Sequence, residues 1–271
     1  MRIRDWLQRA RDEGVARLDA QLLLSRHLGQ PRSWLLAHDD EPLTAEAAAR
    51  LATDLARRAD GVPLAYLLGE REFHGLRLRV TADVLVPRPE TEGLVDWALE
   101  LAATAPLPRL VDLGTGSGAI ALAFKSRTPA FDVRASDRSE AALAVARANG
   151  QQLGLPVHWL AGDWWEPHAG ARFGLAVSNP PYVAEGDAHL HALRHEPRSA
   201  LTAGPDGLDA LRRIVTGAPA HLAPGSWLLL EHGFEQGGSV RALLSAADFE
   251  QVQTRSDLAG RPRCSGGRRP G

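Results

Sequence analysis

Cysteine is almost missing from this chain: Cys264 stands alone among 271 residues. One thiol excludes an internal disulfide framework and a zinc site built on cysteines. His191 and His195 share i,i+4 spacing but have no acidic residue where a zinc site would want one, so no metal is expected. Long apolar runs are missing too. No stretch approaches the roughly 20 apolar residues that a membrane-spanning helix needs, and Met1 to Trp6 lack the apolar core of a secretion signal. A cytoplasmic protein with no membrane partner is the expectation. An excess of one charge is also absent. The formal net charge is −2, which leaves no global basic footprint, and no direct nucleic-acid binding is expected. Lysine is scarce, Lys125 being the one lysine among 31 basic residues. What remains is 44% hydrophobic and 24% charged, ordinary for a folded globular chain of one or two domains.

Three regions differ in pattern. Residues 1–60 read as a small helical bundle. Ile3, Trp6, Leu7 and Ala10 recur at helical spacing, as do Leu18, Leu22, Leu23 and Leu28 before Gly29, a C-cap signal. Thr44 suits the N-cap of an alanine-rich helix through Arg58. Ten arginines balance ten acidic residues here. Such a bundle is either a packing appendage or a module that docks a macromolecular substrate. Residues 61–86 read as a connector, with a helical turn at 63–69 and a short hairpin around Gly75. In the third region, 87–271, Pro87-Arg88-Pro89-Glu90-Thr91-Glu92 opens a helix. Strands are then expected at 109–113, 131–136, 157–161, 173–178, 226–232 and 249–254. Helices are expected at 118–127, 139–153, 207–222 and 235–246. This alternation predicts an α/β domain with a doubly wound, mostly parallel sheet. The tail from Arg261 to Gly271 holds Gly, Pro and four arginines, and its end is expected to fray.

Four constellations fall at the ends of the first four of these strands. The first is Asp112-Leu113-Gly114-Thr115-Gly116-Ser117-Gly118. Its glycines allow a tight turn and let a ligand approach the backbone. The third glycine comes one residue too early for the dinucleotide fingerprint. Taken alone, the loop is compatible with a nicotinamide dinucleotide or with a cofactor whose ammonium Asp112 would take. The second is Asp137, whose two oxygens match the two hydroxyls of an adenosine ribose. The third is Gly162-Asp163-Trp164-Trp165. Asp163 can accept from an adenine amino group and Trp164 can pack on the base, with Trp165 assigned to the core. The fourth is Ser178-Asn179-Pro180-Pro181-Tyr182, after the apolar strand 173–177. Two prolines stop the strand and stiffen the loop. The Asn179 amide and the Pro180 carbonyl are acceptors for a planar nitrogen group, and Tyr182 offers a flat face. A dehydrogenase has no use for this last loop. His195, His221 and His232 are bases by residue type alone and are assigned to structure. Ser117 and Ser178 lack a nucleophile elbow, so a hydrolase is not indicated.

Asn179-Pro180-Pro181-Tyr182 in this place resembles the motif of S-adenosylmethionine-dependent enzymes that methylate amide or exocyclic amino nitrogens. Over nearly its whole length the chain is similar to the peptide chain release factor glutamine methyltransferases. The blocks that carry the resemblance include Leu18-Asp19-Ala20, Pro63-Leu64-Ala65-Tyr66, Phe73-His74-Gly75 and Pro87 to Glu92. They continue with Asp112 to Gly118, Asn179 to Tyr182, Glu196-Pro197-Arg198, Glu231-His232-Gly233 and Asp257 to Arg261. The Pro-Arg-Pro-Glu-Thr-Glu stretch is the most discriminating.

The resemblance implies a class I methyltransferase fold with a seven-stranded sheet. It implies S-adenosyl-L-methionine bound by Asp112, Gly114, Thr115, Gly116, Ser117, Gly118, Asp137, Asp163, Trp164 and Asn179. Asn179, Pro180, Pro181 and Tyr182 would bind the substrate, and Asn179, Pro180 and Tyr182 would serve catalysis. The substrate would be the glutamine of the Gly-Gly-Gln loop of bacterial class 1 release factors, with residues 1–60 helping to hold that protein. The alternatives are a glutamine methyltransferase of a ribosomal protein and an amino-nitrogen nucleic-acid methyltransferase. The chain departs from the family at Arg138-Ser139, at Ala203-Gly204 and in the tail from Arg263 onward, where relatives carry a final apolar strand.

Overall fold

A computed structural model describes residues 1–271. The chain divides into two compact units, Met1–Glu70 and Arg71–Gly271. No helix is long and apolar enough to cross a membrane.

The first unit is helical. It contains α1 (Ile3–Asp12), α2 (Arg17–Leu28), α3 (Arg32–Ala37), α4 (Ala45–Ala59) and α5 (Leu64–Leu68). Ile3, Trp6, Leu23, Leu24, Leu51 and Leu55 form its core. Gly29 ends α2 at φ 64°, a conformation that a side chain disfavours. The Thr44 hydroxyl accepts from Ala47 N–H at 3.2 Å and so caps α4. Partly buried pairs fix the bundle's register: Arg58 with Asp19 at 2.7 Å and His27 with Asp54 at 2.9 Å. The expected boundary at residue 60 is therefore too early. Val62 and Leu67 are buried in this same core, so the segment through α5 completes the bundle and is not a connector.

The second unit opens with a hairpin of β1 (Glu70–Phe73) and β2 (Leu76–Arg79), followed by α6 (Glu92–Ala102). The regular alternation then runs β3 (Arg109–Leu113), α7 (Ala119–Arg127), β4 (Asp132–Asp137), α8 (Glu140–Leu153), β5 (His158–Ala161) and β6 (Phe173–Ser178). It continues with α9 (Asp209–His221), β7 (Leu222–Glu231), α10 (Gly237–Ala246), β8 (Glu250–Ser256) and β9 (Pro262–Arg268). The sheet has seven strands in the order β5-β4-β3-β6-β7-β9-β8. Neighbours are parallel except at β9, which runs antiparallel to both β7 and β8. Leu94, Trp97, Ile120 and Phe124 of α6 and α7 cover one face. Leu211, Ile214, Val240 and Leu244 of α9 and α10 cover the other. With both faces covered, β6 is buried at every position, which explains its unbroken apolar run.

The tail corrects two expectations: it does supply a final strand, and its end is tied to β7 by the bond from Arg269 N–H to Ser226 O. Its residues Pro262–Arg268 form β9, inserted between β7 and β8, and Cys264, Ser265, Gly266 and Gly267 are buried. These residues are small because the space beside them is filled by others: a Cβ on Gly267 would stand 2.8 Å from Phe249 Cβ. A strand built of small residues carries no apolar signal.

Candidate functional site

The order of the strands reverses at β3, which pairs with β4 on one side and β6 on the other. In open α/β sheets a ligand binds outside the carboxyl ends of the strands at such a point. A cavity of about 250 Å³ lies there. Its wall includes Gly114 to Ser117, Asp137, Asp163, Trp164, Asn179 and Pro181.

The loop after β3 depends on three left-handed glycines, Gly114, Gly116 and Gly118, at φ 72°, 55° and 83°. The Gly114 and Thr115 amides both donate to Ser136 O at 2.9 Å. A side chain on Gly118 would meet Trp159 at 2.9 Å, so close packing as well as φ requires glycine there. Asn149 of α8, fully buried, donates to Ser117 O at 2.9 Å and bridges to both backbone groups of Arg79. It thereby ties the loop to the β1–β2 hairpin. Sequence reasoning missed Asn149, because an asparagine inside a helix gives no sign of what it meets.

Asp112 lies behind this loop and is wholly buried. Its Oδ2 accepts from the Thr115 hydroxyl at 2.6 Å and from Ala121 N–H at 3.3 Å. Its Oδ1 has no partner. Burial pushes its pKa up to about 7, against the pull of the Thr115 and Ala121 bonds. A buried carboxylate with an orphan oxygen invites a cation. Asp137 ends β4. Its two oxygens accept from Gly116 N–H and Ser139 N–H, each at 2.9 Å. That leaves acceptor lone pairs for a diol facing the cavity. Ser139 itself caps α8 by accepting from Ala142 N–H at 3.2 Å, so the altered residues after Asp137 still start the helix.

Asp163 pairs with Arg213 at 2.7 Å. Trp164 sits at φ 50° on the cavity wall, and Trp165 is buried, donating its indole N–H to Ile214 O at 2.9 Å. The two tryptophans thus separate into one facing the cavity and one facing the core. None of His195, His221 and His232 lines the cavity. His232 is buried between Ser265 Oγ and Gly233 O, each at 2.8 Å, and burial pushes its pKa down.

Ser178 anchors the end of β6 to β3 by donating to Leu113 O at 2.6 Å. Asn179 follows, with its Nδ2 donating to Thr91 Oγ1 at 3.1 Å. Pro180 is buried and Pro181 lies on the cavity wall. Tyr182 is off that wall. Its hydroxyl donates to Glu231 Oε1 at 3.4 Å, and its carbonyl accepts from Gln236 Nε2 at 3.0 Å. Glu231, at the end of β7, is buried. Burial pushes its pKa up to about 7, while the Thr91 hydroxyl, the Arg263 charge and the Tyr182 hydroxyl pull it down. Arg88, between its two prolines, forms an ion pair with buried Glu196, whose Oε2 accepts from Val86 N–H at 3.2 Å. Thr91, Glu231 and Glu196 were each part of a motif read from sequence, yet had no role there.

The donor set can be tested against an adenosyl sulfonium cofactor. Asp137 suits a ribose and Trp164 suits a purine face, both on the cavity wall, whereas Asp112, whose unpartnered oxygen suits an ammonium, lies behind the loop and off that wall. A glycine loop with no lysine or arginine of its own suits a cofactor without phosphate. The residues fit.

Residues 3–69 match the family model described as PrmC N-terminal domain, and residues 98–205 match the methyltransferase small domain. A release factor glutamine methyltransferase of Bordetella pertussis is 51% identical over 259 residues, covering 94% of this chain and 96% of that one. One of Xylella fastidiosa is 49% identical over 265 residues, covering 97% and 96%. Among solved structures, a T. Thermophilus 16S rRNA methyltransferase in complex with AdoMet and guanosine matches with a TM-score of 0.56 at 19% identity. It covers 74% of this chain and 49% of that one, and it shows the fold alone.

Proposed function

The chain belongs to the release factor glutamine methyltransferases, and on that footing we propose that it methylates the glutamine side-chain amide nitrogen in the Gly-Gly-Gln loop of bacterial class 1 release factors. S-adenosylmethionine is the methyl donor in this reading. When bound, it supplies a methyl carbon activated by a sulfonium. Asp112 would take its ammonium, Asp137 its ribose, and Asp163 with Trp164 its adenine.

The chain's own task is to present a poor nucleophile. The lone pair of an amide nitrogen is delocalised into its carbonyl, so orientation counts for more than basicity. The Asn179 Oδ1 and the Pro180 carbonyl accept the two amide hydrogens and turn the nitrogen toward the methyl carbon. Positive charge builds on that nitrogen as the new bond forms. Both acceptors then bind it more strongly, which favours the transition state over the ground state. The methylated nitrogen returns to neutrality by losing one proton to solvent, so no strong base is required. Tyr182, expected from sequence to face the substrate, lies off the cavity wall and instead braces the loop through its bonds to Glu231 and Gln236. Residues 1–60, with the rest of the helical unit, help hold the release factor.

The observation that carries this reading is the donation from Asn179 Nδ2 to Thr91. It turns the amide oxygen, the end that a primary amide substrate needs, away from Thr91 at the rim of the cavity. The test is transfer from methyl-labelled S-adenosylmethionine to a bacterial class 1 release factor, run beside a factor with alanine in place of the Gly-Gly-Gln glutamine. Label on the wild-type factor alone is expected. Label on both places the methyl elsewhere and overturns the assignment. Label on neither, with cofactor binding retained, redirects the search to ribosomal proteins and nucleic acids.

A further inference from the structure

Pro180 and Pro181 carry no N–H, so the loop that presents the substrate amide cannot be held by donors in its own middle. It is held from its ends. At one end Asn179 Nδ2 donates to Thr91 Oγ1 at 3.1 Å. At the other the Tyr182 carbonyl accepts from Gln236 Nε2 at 3.0 Å. The same nitrogen reaches the carbonyls of Asp206 and Gly207 at 3.4 and 3.5 Å. Position 207 has to be glycine for this. Its φ is 72°, and a Cβ there would stand 2.2 Å from Tyr182 O and 2.9 Å from Gln236 Nε2. Gln236 Oε1 accepts from Gly233 N–H at 2.8 Å. The nitrogen of this amide faces carbonyls and its oxygen faces an N–H, so Gln236 has a single orientation.

Gly233 is held in turn. A chain of hydrogen bonds crosses from α10 through β8 and β9 to the end of β7. Arg241 donates to Thr254 Oγ1 at 2.7 Å, Thr254 Oγ1 meets Ser265 Oγ at 2.7 Å, Ser265 Oγ meets His232 Nε2 at 2.8 Å, and His232 Nδ1 meets Gly233 O at 2.8 Å. Its sense is fixed at both ends, because Arg241 can only donate and the Gly233 carbonyl can only accept. His232, fully buried, therefore carries its hydrogen on Nδ1. Its Nε2 accepts from Ser265, which accepts from Thr254. Burial, helped by the charges of Arg263 and Arg241, opposes a second proton on the ring.

We propose that Gln236 is a positioning residue for methyl transfer: it ties the Tyr182 carbonyl to the 232–236 turn, which the chain from Arg241 to His232 holds, and so sets the direction in which the Pro180 carbonyl meets the substrate amide. The inference rests on the acceptor role given to Pro180 above. Pro180 touches the substrate; Gln236 acts through it. Asn179 is held separately by Thr91, so losing Gln236 weakens one of two acceptors. The loss falls on turnover, because the acceptor binds most strongly as charge builds on the nitrogen. Cofactor binding is spared, since Gln236 is off the cavity wall.

The experiment compares wild type with Gln236→Met and Gln236→Glu at saturating cofactor and release factor. Gln236→Met should lower kcat by about tenfold and leave cofactor affinity within about twofold. Gln236→Glu carries its own control. As a carboxylate the new group can accept from Gly233 N–H but has no donor for Tyr182 O. As a neutral acid it donates an O–H there. Its kcat relative to wild type should therefore be lowest at about pH 8 and recover severalfold by about pH 5.5. The charged groups nearby are Glu235, Asp206 and Asp209 with their shared partner Arg212, and Arg241. They are common to both proteins and cancel in that ratio, as do Asp112 and Glu231. A second readout needs no substrate. Of the two tyrosines only Tyr182 precedes a valine, so carbonyl-labelled tyrosine with nitrogen-labelled valine gives a single correlated carbonyl signal. That signal should shift in Gln236→Met, and nitrogen NMR of His232, assigned by its loss in His232→Gln, should show Nδ1 protonated and Nε2 bare. A flat pH ratio in Gln236→Glu, an unmoved Tyr182 carbonyl in Gln236→Met, a cofactor affinity that falls as far as turnover, or His232 protonated on Nε2 would each overturn the proposal. If no label reaches the Gly-Gly-Gln glutamine while the Tyr182 carbonyl moves as stated, the substrate assignment is at fault and the positioning of the loop stands.

Discussion

Gly266 of β9 lies against Trp97 of α6 so closely that a Cβ on the glycine would stand 2.8 Å from the indole Cη2. The same Cβ would stand 2.6 Å from Leu229 and 2.9 Å from Leu228 O. The last strand and the first helix of the catalytic unit are thus fitted to one another. Gly266→Val should lower the melting temperature sharply, by roughly 2 kcal/mol or more in stability. An unchanged melt would mean that β9 is not seated as described.

Asp112 trades stability for binding. Its carboxyl titrates near 3.8 ordinarily and at about 7 in the fold. Between these values the folded chain holds the extra proton, so stability falls as pH rises across the window. Asp112→Asn should keep the bonds from Thr115 and Ala121 while removing the charge. The cofactor-free variant should melt higher than wild type at pH 8, by a few kcal/mol in stability, and converge with it near pH 4. It should also lose cofactor affinity. Calorimetric melts at the two pH values, with a binding titration, check both halves. A variant that melts no higher at pH 8 contradicts the burial argument.

Asn179→Ala should cut turnover by a hundredfold or so and leave cofactor affinity almost unchanged. A steep rise in the cofactor dissociation constant with turnover intact would assign the residue to cofactor binding. Single-turnover and equilibrium-binding measurements on one preparation distinguish these.

Arg88 neutralises Glu196, a buried carboxylate. Removing only the cation strands a charge, so Arg88→Ala should cost roughly 2–4 kcal/mol. Adding Glu196→Gln to that variant should recover part of the loss. Thermal melts of the single and double variants form the check, and a double variant less stable than Arg88→Ala would refute the pairing.

How far the sequence foretells the molecule depends on whether each feature is written locally. The parallel strands are legible because burial on both faces makes runs such as Phe173 to Val177 wholly apolar. The glycine loop is legible because Gly114, Gly116 and Gly118 all lie at positive φ. β9 is not legible: Cys264, Ser265, Gly266 and Gly267 are buried, but they are small because Trp97 and Phe249 fill the space. The limit of the helical unit is misread because Gly61 and Pro63 look like a break in the chain, although Val62 and Leu67 on either side of Pro63 enter the same core. The bond from Asn179 to Thr91 joins residues 88 positions apart, and the bond from Tyr182 to Glu231 joins residues 49 apart. The second exists only once β6 and β7 lie side by side. Each partner is an ordinary polar residue in its own neighbourhood.

The place of β9 also fixes the order in which the sheet can be built. β8 pairs with β9 alone, and the turn at residues 257–261 joins the two, so this hairpin closes locally and early. Docking it onto β7 joins more distant parts of the chain and comes later. Until then Trp227-Leu228-Leu229-Leu230 is an apolar strand with one open edge, the kind of surface on which chains stick to one another. Docking the hairpin covers that edge, so the yield on refolding is expected to fall as protein concentration rises.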